Sequence, residues 1–256
     1  MSFAVKTILS GLVAMMIVFS VSYCSAGETH DQTILLETSD GLTIKADVYT
    51  AAQADAPIIL LFHQARFSRG EYRSIAPKLN ELGFTCIAID QRSGDKVKGV
   101  KNDTYAQATR LDMGTAYIDA YPDLEHLLNY AKKTYPNQKI IVWGSSYSAS
   151  LSLVLATQYP DNISAVLAFS PGTYFNIKGK SIVEFASMIK CPVFMTCSRE
   201  EVPSRMEIFD KITHGSKRFF TPELEGYHGS KALWPENDGN EFYWGAVESF
   251  LTDIKK

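Results

Sequence analysis

Residues 139–157 read KIIVWGSSYSASLSLVLAT and predict a buried strand, a sharp turn and a helix in direct succession. The apolar run at residues 140–143 is typical of a strand buried on both faces. Ser146 lies in the turn, and the small and apolar residues after it follow a helical pattern. This is the setting of the G-x-S-x-G motif, in which a strained turn lifts a serine oxygen clear of the sheet. Ser146 is therefore the candidate nucleophile.

The tight turn admits only small residues two positions before and two positions after the serine. Gly144 and Ser148 occupy these positions, so the motif departs from the usual pattern in its second glycine. The N–H of the next residue, Tyr147, is expected at the positive end of the new helix, where it can stabilise a developing negative charge. Serine and glycine are common in turns, so the motif alone is a weak indicator of a nucleophile. The predicted strand before it and the predicted helix after it make it specific.

Buried strands alternate with helices along the rest of the chain. Further strands are predicted at residues 33–37, 42–50, 58–62, 84–89, 164–169, 192–197 and 217–221. Helices are predicted at residues 71–82, 117–135, 181–189, 203–212 and 240–254. This alternation predicts an α/β fold with a doubly wound, mostly parallel sheet of about eight strands. In such a sheet the functional site lies beyond the carboxyl ends of the strands.

Three other segments complete the predicted fold. Residues 33–50 are expected to form an antiparallel hairpin around the turn Ser39-Asp40-Gly41. Residues 96–114 are polar and predict an irregular surface excursion near the site. Residues 170–190 leave too little chain between two strands for a large cap domain.

The first 26 residues predict a secretory signal peptide. A lysine precedes an apolar run at residues 7–23, and small residues follow, with cleavage expected after Ala26. The apolar run is short for a membrane-spanning helix, and the bulky Tyr23 directly before Cys24 argues against a lipoprotein. We therefore expect a secreted or periplasmic protein with one domain at residues 27–256 and no stable membrane association after the signal is removed.

Composition excludes several classes of function. The 25 basic and 28 acidic residues give a net charge of −3, and the only basic patch lies at residues 96–101, so no nucleic-acid partner is expected. Cys86, Cys191 and Cys197 lie in or beside apolar strands, which favours buried free thiols over a disulfide scaffold. The sequence contains neither C-x-x-C nor H-E-x-x-H, and we expect no metal and no cofactor.

A serine hydroxyl needs a base to take its proton, and the base needs an acid to orient it. Of the five histidines, His228 lies in the loop after the last predicted strand, at the expected edge of the sheet. His63 ends a buried strand, where we expect it to shape a turn. The remaining histidines lie near the N-terminus, inside a helix and at a helix end. His228 is therefore the candidate base.

The acid is expected in the loop after residues 192–197. No carboxylate directly follows the preceding strand, where the sequence is Ser170-Pro171-Gly172-Thr173. Glu201 is the candidate acid, with Glu200 as the alternative. Two backbone N–H groups are also needed for the developing oxyanion, and those of Tyr147 and Ala65 are the candidates.

Together these residues resemble the α/β-hydrolase superfamily, and the chain is similar in outline to its small dienelactone-hydrolase-like and esterase members. The order of nucleophile, acid and histidine is the family order. Three departures occur: Gln64 stands where many members have glycine, Ser148 replaces the second glycine of the turn, and the glutamate Glu201 takes the place of the usual aspartate. The segments that carry the resemblance are His63-Gln64-Ala65, Asp90-Gln91-Arg92-Ser93-Gly94, Gly144-Ser145-Ser146-Tyr147-Ser148, Glu200-Glu201-Val202-Pro203 and His228-Gly229.

The resemblance implies a secreted serine hydrolase that cleaves carboxylic esters through an acyl-enzyme on Ser146. Its partner is expected to be a small-molecule substrate of the ester type, with Gln64, Tyr174 and Phe175 lining the pocket, although core packing explains the aromatic residues equally well. A thioesterase or a peptidase would use the same triad. A non-catalytic binding protein is the alternative from another class, favoured by the departures at Gln64 and Ser148 and opposed by the intact triad.

Overall fold

The computed structural model describes residues 31–256, so the predicted signal peptide lies outside the described residues. In chain order the strands are β1 (Gln32–Glu37), β2 (Thr43–Tyr49), β3 (Ile58–Phe62), β4 (Thr85–Ile89), β5 (Lys96–Val97), β6 (Val100–Lys101), β7 (Ile140–Ser145), β8 (Ala165–Phe169), β9 (Val193–Thr196) and β10 (Lys217–Phe220). The α-helices are α1 (Ala76–Glu81), α2 (Asp103–Arg110), α3 (Tyr121–Thr134), α4 (Tyr147–Gln158), α5 (Ile182–Ala186), α6 (Val202–Phe209) and α7 (Asn240–Lys255). Short 3₁₀ helices cover Arg69–Tyr72, Tyr117–Ala120, Arg199–Glu201 and Ser230–Leu233.

Eight strands form one sheet in the order β1-β2-β4-β3-β7-β8-β9-β10. β2 pairs antiparallel with β1 and β4, and all other pairs are parallel. The doubly wound, mostly parallel sheet predicted from the sequence is thereby confirmed. The chain reverses its direction of travel across the sheet around β3, which lies between β4 and β7, and the crevice at such a reversal is the usual place for a ligand.

Two apolar layers cover the two faces of the sheet. Along β7 the side chains alternate, so that Ile140 and Val142 join the core under α3 to α6, whereas Ile141 and Trp143 join the core under α1 and α7. Trp143 is fully buried and stacks on Phe169, with 4.8 Å between the ring centroids. Burial on both faces explains why these strands are continuous apolar runs.

Two predicted helices begin later than their apolar patterns suggest, because a proline occupies the first turn. The prediction at residues 71–82 resolves into a 3₁₀ turn and then α1, with Pro77 in the first turn of α1. Proline has no N–H and cannot continue a helix that started earlier, but it fits a first turn. Likewise α3 starts at Tyr121 with Pro122 behind it, after a 3₁₀ turn at Tyr117–Ala120.

The irregular excursion predicted at residues 96–114 is wrong in part. The segment holds the small hairpin of β5 and β6 and the eight-residue helix α2. Asn102 caps this helix, since its side chain accepts a hydrogen bond from the N–H of Tyr105 at 2.7 Å. Asparagine before an acidic residue is a helix-start signal. The pair Asn102-Asp103 therefore indicated the start of α2 in the sequence.

The chain between β8 and β9 holds a single short helix, α5, and this agrees with the prediction of no large cap domain. The cysteines Cys86, Cys191 and Cys197 are buried and free. Within residues 31–256 no helix is both long and apolar enough to span a membrane.

Candidate active site

Ser146 lies at a strained turn between β7 and α4. Its backbone has φ 60° and ψ −123°, in the left-handed region that residues other than glycine rarely adopt. The helix passes directly over Gly144, where a Cβ atom would collide with the carbonyl oxygen of Ser148 and with the backbone of Ala149. Glycine at position 144 is therefore required by close approach. The turn leaves Ser146 7% exposed at the carboxyl edge of the sheet.

Ser148, at the position of the usual second glycine, fits because its hydroxyl group is hydrogen-bonded. The N–H of Ser145 donates to Ser148 Oγ at 3.0 Å. The same oxygen lies 2.7 Å from the carbonyl oxygen of Phe62 and 2.9 Å from that of Ser145, so its proton has two acceptors in reach. The departure from the family pattern thus replaces a small residue by another one that adds hydrogen bonds.

The structure brings Ser146, His228 and Glu201 together from the loops after β7, β10 and β9. His228 Nε2 lies 2.8 Å from Ser146 Oγ, and His228 Nδ1 lies 2.7 Å from Glu201 Oε1. Glu200, the alternative acid, is exposed and lines a surface depression with Glu225. The geometry is that of a nucleophile, a base and an orienting acid.

Hydrogen bonds and charge hold Glu201 in its ionised form. Burial acts to raise its pKa, but the hydrogen bond and charge of His228, the hydroxyl group of Ser170 and the charge of Arg205 outweigh burial and lower the pKa to about 2. Arg205 Nη2 lies 2.5 Å from Oε1, the oxygen that also faces His228. The carboxylate therefore accepts the proton on His228 Nδ1, which leaves Nε2 free to accept a proton from Ser146.

Ser170, which is not among the residues predicted from the sequence, joins Glu201 to the loop that carries His228. Its hydroxyl group donates to Glu201 Oε2 at 2.8 Å and accepts the N–H of Gly229 at 2.9 Å. Ser170 directly follows β8, and its φ of 53° turns the chain toward the site. Its position after a strand is the one signal that could have drawn attention to it.

The two candidate oxyanion donors lie in the turns after the neighbouring strands β7 and β3. Tyr147 is the first residue of α4, directly after Ser146. Ala65 belongs to the turn after β3, in which the N–H of Gln64 donates to Glu71 Oε2 at 2.8 Å and the N–H of Phe67 donates to the carbonyl oxygen of Gln64 at 3.2 Å. Within residues 31–256 the Ala65 N–H has no acceptor, so it is available to a ligand.

The residues predicted to line a substrate pocket divide into two groups. The hydroxyl group of Tyr174 lies 3.5 Å from Ser146 Oγ, and the residue is 39% exposed. Phe175 is partly buried and packs against the hydrophobic core. Gln64 is buried, and its Oε1 lies so near Gly229 that a Cβ atom there would be only 2.5 Å from it. Of the three, Tyr174 is the one placed beside the nucleophile on an exposed surface.

Tyr117 was missed in the sequence because it lies at the start of a predicted helix. Its ring stacks on that of Tyr147 with 4.7 Å between centroids and meets the ring of Tyr174 edge-on at 6.1 Å. The residue is 40% exposed. Tyr117 and Tyr174 therefore form an exposed pair of perpendicular rings next to Ser146.

His63 shapes a turn, as its position at the end of β3 suggests. It is fully buried, its Nε2 accepts the N–H of Gln91 at 3.0 Å, and its Nδ1 lies 2.8 Å from the carbonyl oxygen of Gln64. Burial lowers the pKa of His63 to about 4. A neutral imidazole thus links the loops after β3 and β4 at the floor of the site. Within residues 31–256 there is no group of three or more His, Cys, Asp or Glu residues that could hold a metal ion.

Comparison with known proteins agrees with the fold. A family model described as the alpha/beta hydrolase fold matches residues 57–192, which is more than half of the chain. The chain belongs to this family. No curated protein matches the sequence significantly.

Several solved structures share the fold at low sequence identity. A dienelactone hydrolase from Anabaena variabilis superposes with a TM-score of 0.68 at 14% identity, covering 87% of this chain and 97% of its own. The esterase Pf2001 from Pyrococcus furiosus gives a TM-score of 0.66 at 17% identity, with 87% and 91% covered. Est1E from Butyrivibrio proteoclasticus, solved with ferulic acid bound, gives 0.67 at 14% identity, with 87% and 100% covered.

Proposed function

We propose that this protein is a serine hydrolase that cleaves carboxylic esters through an acyl-enzyme on Ser146. The observation that carries the proposal is the continuous hydrogen-bonded chain from Ser146 Oγ through His228 to Glu201. Membership of the alpha/beta hydrolase fold family supports a hydrolase. The similar folds of an esterase and a dienelactone hydrolase support an ester as the substrate.

In the proposed mechanism, His228 Nε2 takes the proton of Ser146 as Oγ attacks the acyl carbon. The oxyanion of the tetrahedral intermediate accepts hydrogen bonds from the N–H groups of Tyr147 and Ala65. His228 then passes its proton to the leaving alcohol oxygen, and the acyl group remains on Ser146. A water molecule, deprotonated by His228, attacks the acyl-enzyme; the bond from the acyl carbon to Ser146 Oγ breaks, His228 returns the proton to Oγ, and the acid leaves. Glu201 stabilises the imidazolium that forms in each half of the reaction.

The surroundings of Ser146 favour small or extended esters. The short connection between β8 and β9 places no cap domain over the site, and Tyr117 and Tyr174 offer two exposed aromatic faces beside the nucleophile. A thioesterase or a peptidase would use the same triad. The aromatic pair favours a substrate with a planar or apolar group near the scissile bond. We further propose that the enzyme acts outside the cytoplasm, on the basis of the predicted signal peptide.

Labelling with a fluorophosphonate tests the proposal. Protein comprising residues 27–256 is treated with the probe, and the adduct is mapped by mass spectrometry beside S146A, H228A and the matched control S152A, which removes a buried serine hydroxyl further along α4. We expect an adduct on Ser146 in the unmodified protein and in S152A, and none in the other two variants. A folded protein without an adduct contradicts the proposal and favours a non-catalytic binding protein. Ester, thioester and amide substrates with the same acyl group then distinguish the three activities.

A further inference from the structure

A buried carboxylate, that of Glu71, lies beneath the site and contacts two of its loops. Glu71 belongs to the 3₁₀ turn Arg69–Tyr72 and is fully buried. Its Oε2 accepts the N–H of Gln64 at 2.8 Å, and its Oε1 accepts the hydroxyl proton of Ser145 at 2.8 Å. The first of these donors directly precedes Ala65, and the second directly precedes Ser146. One side chain is thus bonded next to the nucleophile and next to a candidate oxyanion donor.

The histidine loop is tied to the same point. Ser145 Oγ, which donates to Glu71, also accepts the N–H of Ser230 at 2.8 Å. Ser230 lies two residues after His228, and its own hydroxyl group accepts the indole N–H of Trp143 at 2.9 Å. The loops after β3, β7 and β10 therefore share one buried hydrogen-bond network.

The network can fix the orientation of the backbone N–H groups in the turn that carries Ala65. The N–H of Gln64 points inward to the carboxylate, and this sets the plane of the turn that carries the Ala65 N–H. Backbone donors stabilise an oxyanion strongly only when they are oriented before the reaction starts. When Glu71 is ionised, above its pKa, its carboxylate binds both donors more firmly than a neutral acceptor would, since hydrogen bonds to ionised groups are shorter and stronger.

Burying the Glu71 carboxylate destabilises the folded protein. Burial raises the pKa of Glu71 to about 7, and the hydrogen bonds from Gln64 and Ser145 and the charge of Lys231 offset only part of that effect. The other titratable groups facing it, Tyr72 and Tyr147, are neutral because burial raises their pKa values as well. Functional sites often contain a buried ionisable group whose pKa is strongly shifted. Glu71, beside the proposed active site, is such a group.

We propose that Glu71 is a positioning residue, which holds the Ser146 turn and the Ala65 turn in the geometry that the reaction needs. It acts through Gln64 and Ser145 and touches no substrate atom. The inference rests on the proposed function, because it concerns the efficiency of the same acyl transfer.

The test uses E71Q and S145A, each beside a matched control. E71Q keeps the volume of the side chain but directs an N–H₂ group at one of two donors, and S145A removes one of the two bonds. D123N is the control for E71Q, because Asp123 is a buried carboxylate bound to Arg92 on the neighbouring loop. S152A is the control for S145A. For each protein we would measure kcat and KM with an aryl ester, count the serines labelled by fluorophosphonate, and determine the inhibition constant of a trifluoromethyl ketone, whose oxyanion occupies the same donors.

We expect kcat per labelled serine to fall about 10- to 100-fold in E71Q, less than the roughly 10²- to 10³-fold loss when an oxyanion donor is deleted. S145A should show a smaller fall, with KM nearly unchanged in both. The inhibition constant should rise by the same factor as kcat/KM falls, because the inhibitor resembles the transition state. D123N is expected to lower thermal stability without changing kcat per labelled serine.

A purely structural role for Glu71 gives a different pattern. In that case a smaller fraction of the E71Q and S145A molecules reacts with the fluorophosphonate. The molecules that do react retain normal kcat and normal inhibitor affinity, and this result would overturn the inference. If E71Q does not fold, S145A alone decides by the same criteria. An unmodified protein that neither reacts with the probe nor hydrolyses any ester overturns the proposed function itself, and with it this inference.

Discussion

The hydroxyl oxygen of Ser148 lies 2.7 Å from the carbonyl oxygen of Phe62, so the nucleophile turn is hydrogen-bonded to the end of the neighbouring strand. Strand β3 precedes the Ala65 turn and strand β7 precedes Ser146, and the two strands pair directly, with Phe62 opposite Gly144. The Ser148 hydroxyl group thus adds a side-chain link between two strands that are already paired through their backbones. A glycine at position 148 could not provide this bond.

Replacing Ser148 by alanine should destabilise the protein. The buried N–H of Ser145 loses its acceptor in S148A, and an unsatisfied buried group costs about 1–3 kcal/mol. The measurement is the free energy of unfolding in urea. S152A is the control, because the Ser152 hydroxyl group has no partner within residues 31–256 and its removal should cause no loss. Equal stability of S148A and S152A would show that the Ser148 bonds contribute nothing.

The two neighbouring glutamates should differ sharply in their effect on catalysis. E201Q removes the charge that stabilises the His228 imidazolium and allows the wrong tautomer, so we expect kcat to fall by about 10³- to 10⁴-fold. E200Q should leave kcat unchanged, since Glu200 is exposed and apart from the histidine. Steady-state hydrolysis of a short aryl ester measures both. Comparable losses in the two variants would contradict the assignment of the acid.

Tyr174 should influence which esters bind, through its ring more than through its hydroxyl group. Y174A removes one of two perpendicular rings beside Ser146. Aromatic contacts contribute about 0.5–1.5 kcal/mol beyond buried area, so we expect KM for an aryl ester to rise about 3- to 10-fold, with a smaller change for a methyl ester. Y174F keeps the ring and serves as the control. If Y174A and Y174F affect the two esters equally, the ring has no part in substrate choice.

Glu71 should make the protein less stable as the pH rises toward neutrality. Its pKa is about 7 in the folded protein against an ordinary value of 4.5, so the folded state holds this proton over a range where the unfolded chain has lost it. The stabilisation is therefore complete below pH 4.5 and is lost as the pH rises through about 7. Urea unfolding at pH 5 and pH 8 should show the unmodified protein losing about 3 kcal/mol relative to E71Q, in which residue 71 does not titrate.

In that comparison all other titrating groups are present in both proteins, and their effects cancel in the difference. Parallel stability curves for the two proteins would mean that Glu71 keeps an ordinary pKa despite its burial.

The fold could be read from the sequence because its strongest signals are local. The apolar run before Gly144 and the small residues after it predict a strand, a turn and a helix without reference to any other part of the chain. Parallel strands then bring their carboxyl ends to one edge, and this is why the loops of Glu201 and His228 could be chosen as partners for Ser146. The structure places the three side chains in hydrogen-bonding contact, whereas their catalytic role stays a prediction.

The parts that sequence reasoning missed depend on contacts between distant residues. Ser170 directly follows β8 and Arg205 lies in α6, and neither sequence position shows that the side chain reaches Glu201. Glu71 lies in the polar run Arg69-Gly70-Glu71, which is typical of a surface turn, yet it is fully buried. Burial of polar groups is decided by how loops fold over one another, and hydrophobic periodicity carries no information about it.

The three buried cysteines have a practical consequence for a protein expected in an oxidising compartment. Burial raises the pKa of the Cys191 and Cys197 thiols to about 12, and that of Cys86 further still. Disulfide exchange proceeds through the thiolate, so these side chains are poor partners for oxidants, for each other and for neighbouring molecules. A cysteine introduced on the surface of residues 31–256 would therefore be the reactive thiol of that part of the chain, and it could carry a fluorophore or a surface anchor without prior removal of the native ones.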